Sequence, residues 1–173
     1  MYEEHYPYIR ECIRLAQEAK RNGNHPFGSI LVHNGEILLK AQNAVNTYND
    51  LSQHPESILA VTGASKYDAD FLADCTLYAS TEPCAMCSGA IYWSGIGRVV
   101  FACSNARLRE FASGGLTLTC RQVFQSGTRP IEVIGSIFED EAAQVHKVDP
   151  GNSDKEWAQA CLARFCVKVK YGR

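Results

Sequence analysis

The stretch TLYASTEPCAMCSGAIYW, residues 76–93, contains the pattern that indicates how this chain folds. Its first five residues predict a β-strand. Pro83 then introduces a helix that begins at Cys84 and runs to about Trp93, because proline is favoured in the first turn of a helix. A second apolar run, residues 98–102, predicts the next strand. The stretch therefore predicts a strand–helix–strand unit, which is typical of parallel strands in an α/β sheet.

Elements on both sides extend this unit. Asn34-Gly35 lies between two apolar runs and is a strong hairpin signal. Strands that alternate with helices predict an α/β protein whose sheet is covered on both faces. We expect one domain over residues 1–173, in which residues 150–173 form a helical tail. In chain order the other predicted elements are a helix at 4–21, strands at 29–33 and 36–40, a helix from Pro55, a strand at 131–134, and helices from about Phe138 and Asp154.

Composition limits the kinds of protein to be considered. The 173 residues are 46% hydrophobic and 21% charged, as in ordinary globular domains. A net charge of −2 offers no basic surplus for nucleic acid, so a small-molecule nucleobase or nucleoside is expected as partner ahead of a nucleic acid, which stays open. No apolar run is long enough to span a bilayer, and the N-terminus lacks the apolar stretch of a signal peptide. We therefore expect no membrane association, a cytoplasmic location and reduced cysteines.

One histidine and two cysteines have the spacing of a metal site. His54 and the pair Cys84 and Cys87 supply three of the four usual ligands of zinc, and a catalytic zinc site leaves the fourth position to water. Glu56 lies two residues after the histidine, where a carboxylate can move protons. The pattern H-x-E…P-C-x-x-C is the signature of zinc deaminases that act on nucleobases.

Two simpler interpretations compete with this one. A C-x-x-C pair alone is more often half of a structural zinc site or a redox pair. A structural site would need a fourth protein ligand, for which no second C-x-x-C or H-x-x-x-H is present. Dithiol chemistry requires neither the proline before Cys84 nor the acid at Glu56. The combined pattern favours the deaminase.

These residues resemble the cytidine deaminase-like superfamily, most closely the group of bacterial guanine deaminases, tRNA adenosine deaminases and fungal-type cytosine deaminases. The similarity covers roughly residues 5–103 and includes Pro26-Phe27-Gly28 and Thr81-Glu82-Pro83-Cys84. It implies a three-layer α/β/α fold with a five-stranded mixed sheet, usually assembled as a homodimer. The resemblance implies Zn²⁺ as cofactor, held by His54, Cys84 and Cys87.

The resemblance also assigns roles around the metal. Glu56 matches the proton shuttle, and Asn43 matches the asparagine that hydrogen-bonds the base. An alternative for Asn43 is an amide that caps a backbone turn. Phe27 matches an aromatic that stacks on the ring, and its alternative is a core phenylalanine beneath the hairpin.

The sequence determines the substrate less closely than it determines the type of reaction. The run Ile91-Tyr92-Trp93 and the ending around Tyr171 resemble the guanine branch, which places Trp93 and Tyr171 near the substrate and makes conversion of guanine to xanthine the first expectation. A cytosine or cytidine deaminase is the second and a tRNA adenosine deaminase the third. A zinc-binding scaffold without activity is the non-enzyme alternative, which Glu56 disfavours. Residues 108–118 lack the acidic segment typical of guanine deaminases.

Overall fold

The computed structural model describes residues 2–110 and 116–147. Within them five strands form one sheet between two layers of helices. The strands are β1 (Gly28–His33), β2 (Glu36–Gln42), β3 (Thr76–Thr81), β4 (Arg98–Cys103) and β5 (Glu132–Ile134). The helices are α1 (Tyr6–Arg21), α2 (Val45–Tyr48), α3 (Pro55–Lys66), α4 (Ala69–Ala73), α5 (Ala85–Ser94), α6 (Asn105–Leu108), α7 (Cys120–Gln125) and α8 (Glu139–Val145).

The sheet is mixed, with strand order β2-β1-β3-β4-β5. β1 is antiparallel to β2 and β3, whereas β3, β4 and β5 run parallel to one another. Asn34 and Gly35 have φ values of 48° and 83°, the left-handed conformation that a tight hairpin between β1 and β2 requires. The predicted hairpin, the strand–helix–strand unit and the five-stranded mixed sheet are confirmed.

Alternating side chains in the strands build two cores. In β4, Val100 and Ala102 belong to the core shared with α1 and α8, whereas Val99 and Phe101 belong to the core shared with α3, α5 and α7. Successive residues of a strand point to opposite faces, so a strand covered on both faces is apolar throughout. This arrangement confirms the three-layer prediction.

Gly28 begins β1 at a point where α1 lies unusually close to the sheet. A Cβ atom at this position would lie 2.5 Å from both the carbonyl oxygen of Cys12 and the Cβ of Leu15. Only glycine allows this approach, which brings the start of β1 under α1 and fixes the position of Phe27 just before it.

The predicted element boundaries differ from the structure in a few places. Helix α5 begins at Ala85, so Cys84 is its N-cap residue and not, as predicted, its first helical residue. Four short helices, α2, α4, α6 and α7, were not predicted. The predicted tail, residues 150–173 with the helix from Asp154, lies outside the described residues. No helix within residues 2–110 and 116–147 is long and apolar enough to cross a membrane.

Candidate active site

The candidate metal ligands lie at the N-termini of two neighbouring helices. His54 is the N-cap of α3, with φ −75° and ψ 135°, and Pro55 occupies its first turn as predicted. Cys84 is the N-cap of α5, and Cys87 follows in its first turn. Because α3 and α5 pack against each other on one face of the sheet, their N-termini bring residues thirty positions apart together.

These three side chains form a ligand set of suitable size. One ligand atom from each residue lies within 4.8 Å of the other two, and no other such group of three occurs in the described part of the chain. The Nδ1 atom of His54 lies 3.8 Å from the sulfur of Cys84 and 3.5 Å from that of Cys87. Tetrahedral zinc with ordinary Zn–N and Zn–S bonds requires nitrogen–sulfur separations of about 3.6 Å. Zinc therefore fits between these side chains with little rearrangement.

The electrostatics of the site favour negative sulfur. A hydrogen bond with Cys87 has the largest effect on the pKa of Cys84 and lowers it. A hydrogen bond with His54 acts in the same direction, and the pKa of Cys84 falls to about 4 although burial opposes the shift. The same pairing with Cys84 raises the pKa of Cys87. Before a metal binds, the two sulfurs thus share one proton, and a coordinated zinc ion would remove it.

Glu56 lies beside the ligand set and is almost fully buried. Its Oε2 atom is 3.5 Å from the sulfur of Cys87, and its Oε1 atom accepts a hydrogen bond of 2.8 Å from the hydroxyl of Ser29. Burial raises the pKa of Glu56 above its ordinary value, although His54 opposes this shift. A carboxyl with a raised pKa is suited to both accepting and returning a proton.

Three supporting contacts were missed by sequence reasoning. The hydroxyl of Ser57 donates to the sulfur of Cys87 at 3.3 Å. The buried carboxylate of Glu82 accepts from the backbone N–H of Asn105 at 2.9 Å and from that of Cys120 at 3.1 Å. The third is the bond from Ser29 to Glu56. A polar residue in an otherwise apolar strand is the one signal that marks Ser29 in the sequence.

Asn43 is fully buried directly after β2. Its Oδ1 atom accepts a hydrogen bond from the N–H of Val45 at 3.2 Å, which is the backbone-capping role considered from the sequence. Its Nδ2 group has no hydrogen-bond partner among the described residues. A buried donor of this kind is costly unless a ligand or water pairs with it, so the amide has a donor to offer.

The ring of Phe27 lies near three histidines, His25, His54 and His146. Its ring centroid is 6.4 Å from that of His54, with an interplanar angle of 21°, and 5.3 Å from that of His146. The Nε2 atom of His146 is also 3.0 Å from the hydroxyl of Thr81. Phe27 is half-buried and so is neither a deep core residue nor a surface one.

The structure places Trp93 on the surface, apart from the metal ligands of its own chain. Its side chain is 85% exposed near the C-terminal end of α5, about 9 Å along the helix axis from Cys87 at the rise of an α-helix. Within one chain Trp93 therefore faces solvent, because the face of α5 that packs on the sheet is occupied by residues such as Ile91. Tyr171 lies outside the described residues.

The fold and the site together define a class of protein: an α/β/α metalloenzyme with a His/Cys/Cys ligand set and a buried acid beside it. Residues 2–103 match the family model described as the cytidine and deoxycytidylate deaminase zinc-binding region. The chain therefore belongs to this family of zinc-dependent deaminases and carries the family's zinc-binding His/Cys/Cys site.

The relatives of this chain are named for different bases. The chain is 43% identical over 151 residues to a Schizosaccharomyces pombe protein named "probable cytosine deaminase", covering 84% of this chain and 91% of that protein. It is 38% identical over 108 residues to Bacillus subtilis guanine deaminase, covering 61% of this chain and 69% of the relative. The solved guanine deaminase of Nitrosomonas europaea superposes with a TM-score of 0.70 at 19% identity, covering 88% of this chain and 83% of that one, and so supports the fold.

Proposed function

We propose that this protein is a zinc-dependent cytosine deaminase that converts cytosine and water to uracil and ammonia. The observation that carries the substrate is the 43% identity to the S. pombe protein over 84% of this chain. The similarity to guanine deaminase is lower and spans 61% of the chain. The comparisons thus favour cytosine, the second expectation from the sequence, over guanine, the first.

In this proposal His54, Cys84 and Cys87 hold the zinc ion. Zinc, when bound, supplies the Lewis acidity that makes water a nucleophile at neutral pH. Glu56 accepts a proton from the attacking water and delivers it to the ring nitrogen beside the reacting carbon. It then accepts the proton of the hydroxyl group newly attached to that carbon and transfers it to the exocyclic amine, which leaves as ammonia while a carbonyl remains. The burial of Glu56 and its raised pKa support this role.

Asn43 and Phe27 are proposed to hold the base. The Nδ2 group of Asn43 needs an acceptor, and cytosine presents a ring carbonyl and a ring nitrogen as acceptors. The half-buried ring of Phe27, 6.4 Å from the ring of His54, supports this role, since an aromatic ring packs well against a planar base.

The test is ammonia release by the zinc-loaded protein from cytosine, cytidine, guanine, guanosine, adenine and an anticodon stem-loop. We expect turnover of cytosine and loss of turnover in Glu56→Ala with zinc retained. Turnover of guanine alone would restore the first expectation, and activity on the stem-loop alone would favour tRNA editing. Turnover of none would favour the inactive scaffold.

We also propose that the protein is a homodimer. Met86 and Trp93 lie seven residues apart on one face of α5 and are 41% and 85% exposed. Gly89 lies between them, and a Cβ at that position would meet nothing within 4 Å, so a partner can approach this face closely. Size-exclusion chromatography with light scattering should give twice the chain mass for the wild type and the single chain mass for Trp93→Arg.

A further inference from the structure

The hydrogen bond between Ser29 and Glu56 joins the sheet to the proton shuttle. The hydroxyl of Ser29 lies 2.8 Å from Oε1 of Glu56, and both residues are buried. Ser29 belongs to β1 and Glu56 to the first turn of α3, so the contact depends on the packing of the helix on the sheet.

The backbone at Ser29 is held on both sides. Its Cα pairs with that of Ala41 in β2 and with that of Ala79 in β3. Because side chains alternate along a strand, Ser29 points to the same face as Leu31, which belongs to the core shared with α3. A hydroxyl carried by a central strand with two paired neighbours is a rigid donor.

The two oxygens of Glu56 therefore have different surroundings. Oε1 is bound by the hydroxyl of Ser29, whereas Oε2 lies 3.5 Å from the sulfur of Cys87, on the side of the ligand set. Partial rotation of the carboxyl group would break the bond to Ser29, so this bond fixes the orientation in which one oxygen faces the ligand set. A proton shuttle works best when its oxygen is held within hydrogen-bond reach of the reacting atoms.

We propose that Ser29 is a positioning residue for deamination, which holds Oε1 of Glu56 so that Oε2 is directed at the attacking water and the leaving amine. This inference rests on the proposed function of Glu56. It deepens that function by assigning a residue that does not itself touch the metal or the base.

Other buried serines provide a comparison. Ser94 is also buried, but its hydroxyl donates to the carbonyl of Ile91 at 2.9 Å, at the far end of α5 from the ligands. Ser94→Ala deletes the same atom from a similarly buried position without touching Glu56. It is the matched control for Ser29→Ala.

The experiment compares wild type, Ser29→Ala and Ser94→Ala as zinc-loaded proteins, with the base that the wild type deaminates. Loss of a hydrogen bond to an ionised group predicts that kcat of Ser29→Ala falls about tenfold or more. KM and the zinc stoichiometry of Ser29→Ala should stay unchanged. The kcat of the control, Ser94→Ala, should also equal that of the wild type. Ser29→Gly, which also lacks the hydroxyl, should behave like Ser29→Ala and replaces it if the alanine variant does not fold.

A second readout needs no substrate. The infrared band of the Glu56 carboxyl group, isolated as the difference between wild type and Glu56→Gln, should move to higher frequency in Ser29→Ala because Oε1 loses its donor. An unmoved band, an unchanged kcat, or a fall in kcat accompanied by zinc loss or an equal change in KM would overturn the proposal. A wild type inactive on every base would instead refute the proposed function, and the band would still decide the role of Ser29.

Discussion

His146 should make the stability of the protein depend on pH. Burial lowers the pKa of this histidine from an ordinary value of 6.5 to about 4, and the charge of Lys20 makes a smaller contribution in the same direction. Between these two values the unfolded chain binds a proton that the folded chain does not, so the folded state loses stability as the pH falls from about 7 towards 4. At about pH 5 the loss from His146 alone amounts to about 2 kcal/mol.

The assay is urea unfolding of the zinc-loaded protein near pH 7.5 and near pH 5, for the wild type and for His146→Gln. Glutamine retains a polar partner for Thr81 but does not titrate, so the variant should lose about 2 kcal/mol less than the wild type over this interval. Loss of zinc ligation at low pH affects both proteins equally and cancels in the comparison.

Thr81→Val is the matched control for this prediction. It removes the hydrogen bond to His146 but leaves the buried imidazole in place. Its stability should therefore depend on pH about as steeply as that of the wild type, because burial and Lys20 lower the pKa of His146. Equal pH dependence in His146→Gln and the wild type would refute the reasoning, because it would show that His146 carries the same charge in the folded and unfolded chains.

Two further predictions concern the support of the metal site. Ser57→Ala removes the donor to Cys87 and should weaken zinc affinity about tenfold, measured by competition with a chromogenic chelator, whereas Ser65→Ala on the exposed side of the same helix should not. Glu82→Ala leaves one buried and one partly buried backbone N–H group without this acceptor and should lower the free energy of unfolding by about 2 kcal/mol. Glu82→Gln, which keeps one acceptor oxygen, should lose less in the same urea titration, and an equal loss in both variants would contradict the assigned role.

The metal ligands were predictable because their pattern is local. His54 and Cys84 each begin a helix marked by an adjacent proline, and Cys87 follows one turn later, so the short-range signals of helix starts coincide with ligand spacing. The long helices and the hairpin were predictable for the same reason, since periodicity and turn residues act over neighbouring positions.

The contacts that were missed all join residues far apart in the sequence. Ser29 and Glu56 are 27 positions apart, and Thr81 and His146 are 65 apart. No local pattern predicts such pairs, because they depend on which helix packs over which strand. The four-to-six-residue helices α2, α4, α6 and α7 are likewise too short to show a helical period.

Glu82 joins the metal motif to the two helices that follow the family match. The family match ends at residue 103, and the first two helices after it, α6 and α7, begin at Asn105 and Cys120. The backbone N–H groups of both residues bind the carboxylate of Glu82, which precedes the metal motif by two residues. Beyond the part that the family model matches, the chain therefore starts each of these helices at one buried carboxylate. Because Glu82 is bound at both of its oxygens, its position two residues before Cys84 is fixed by the starts of α6 and α7 as well as by the end of β3.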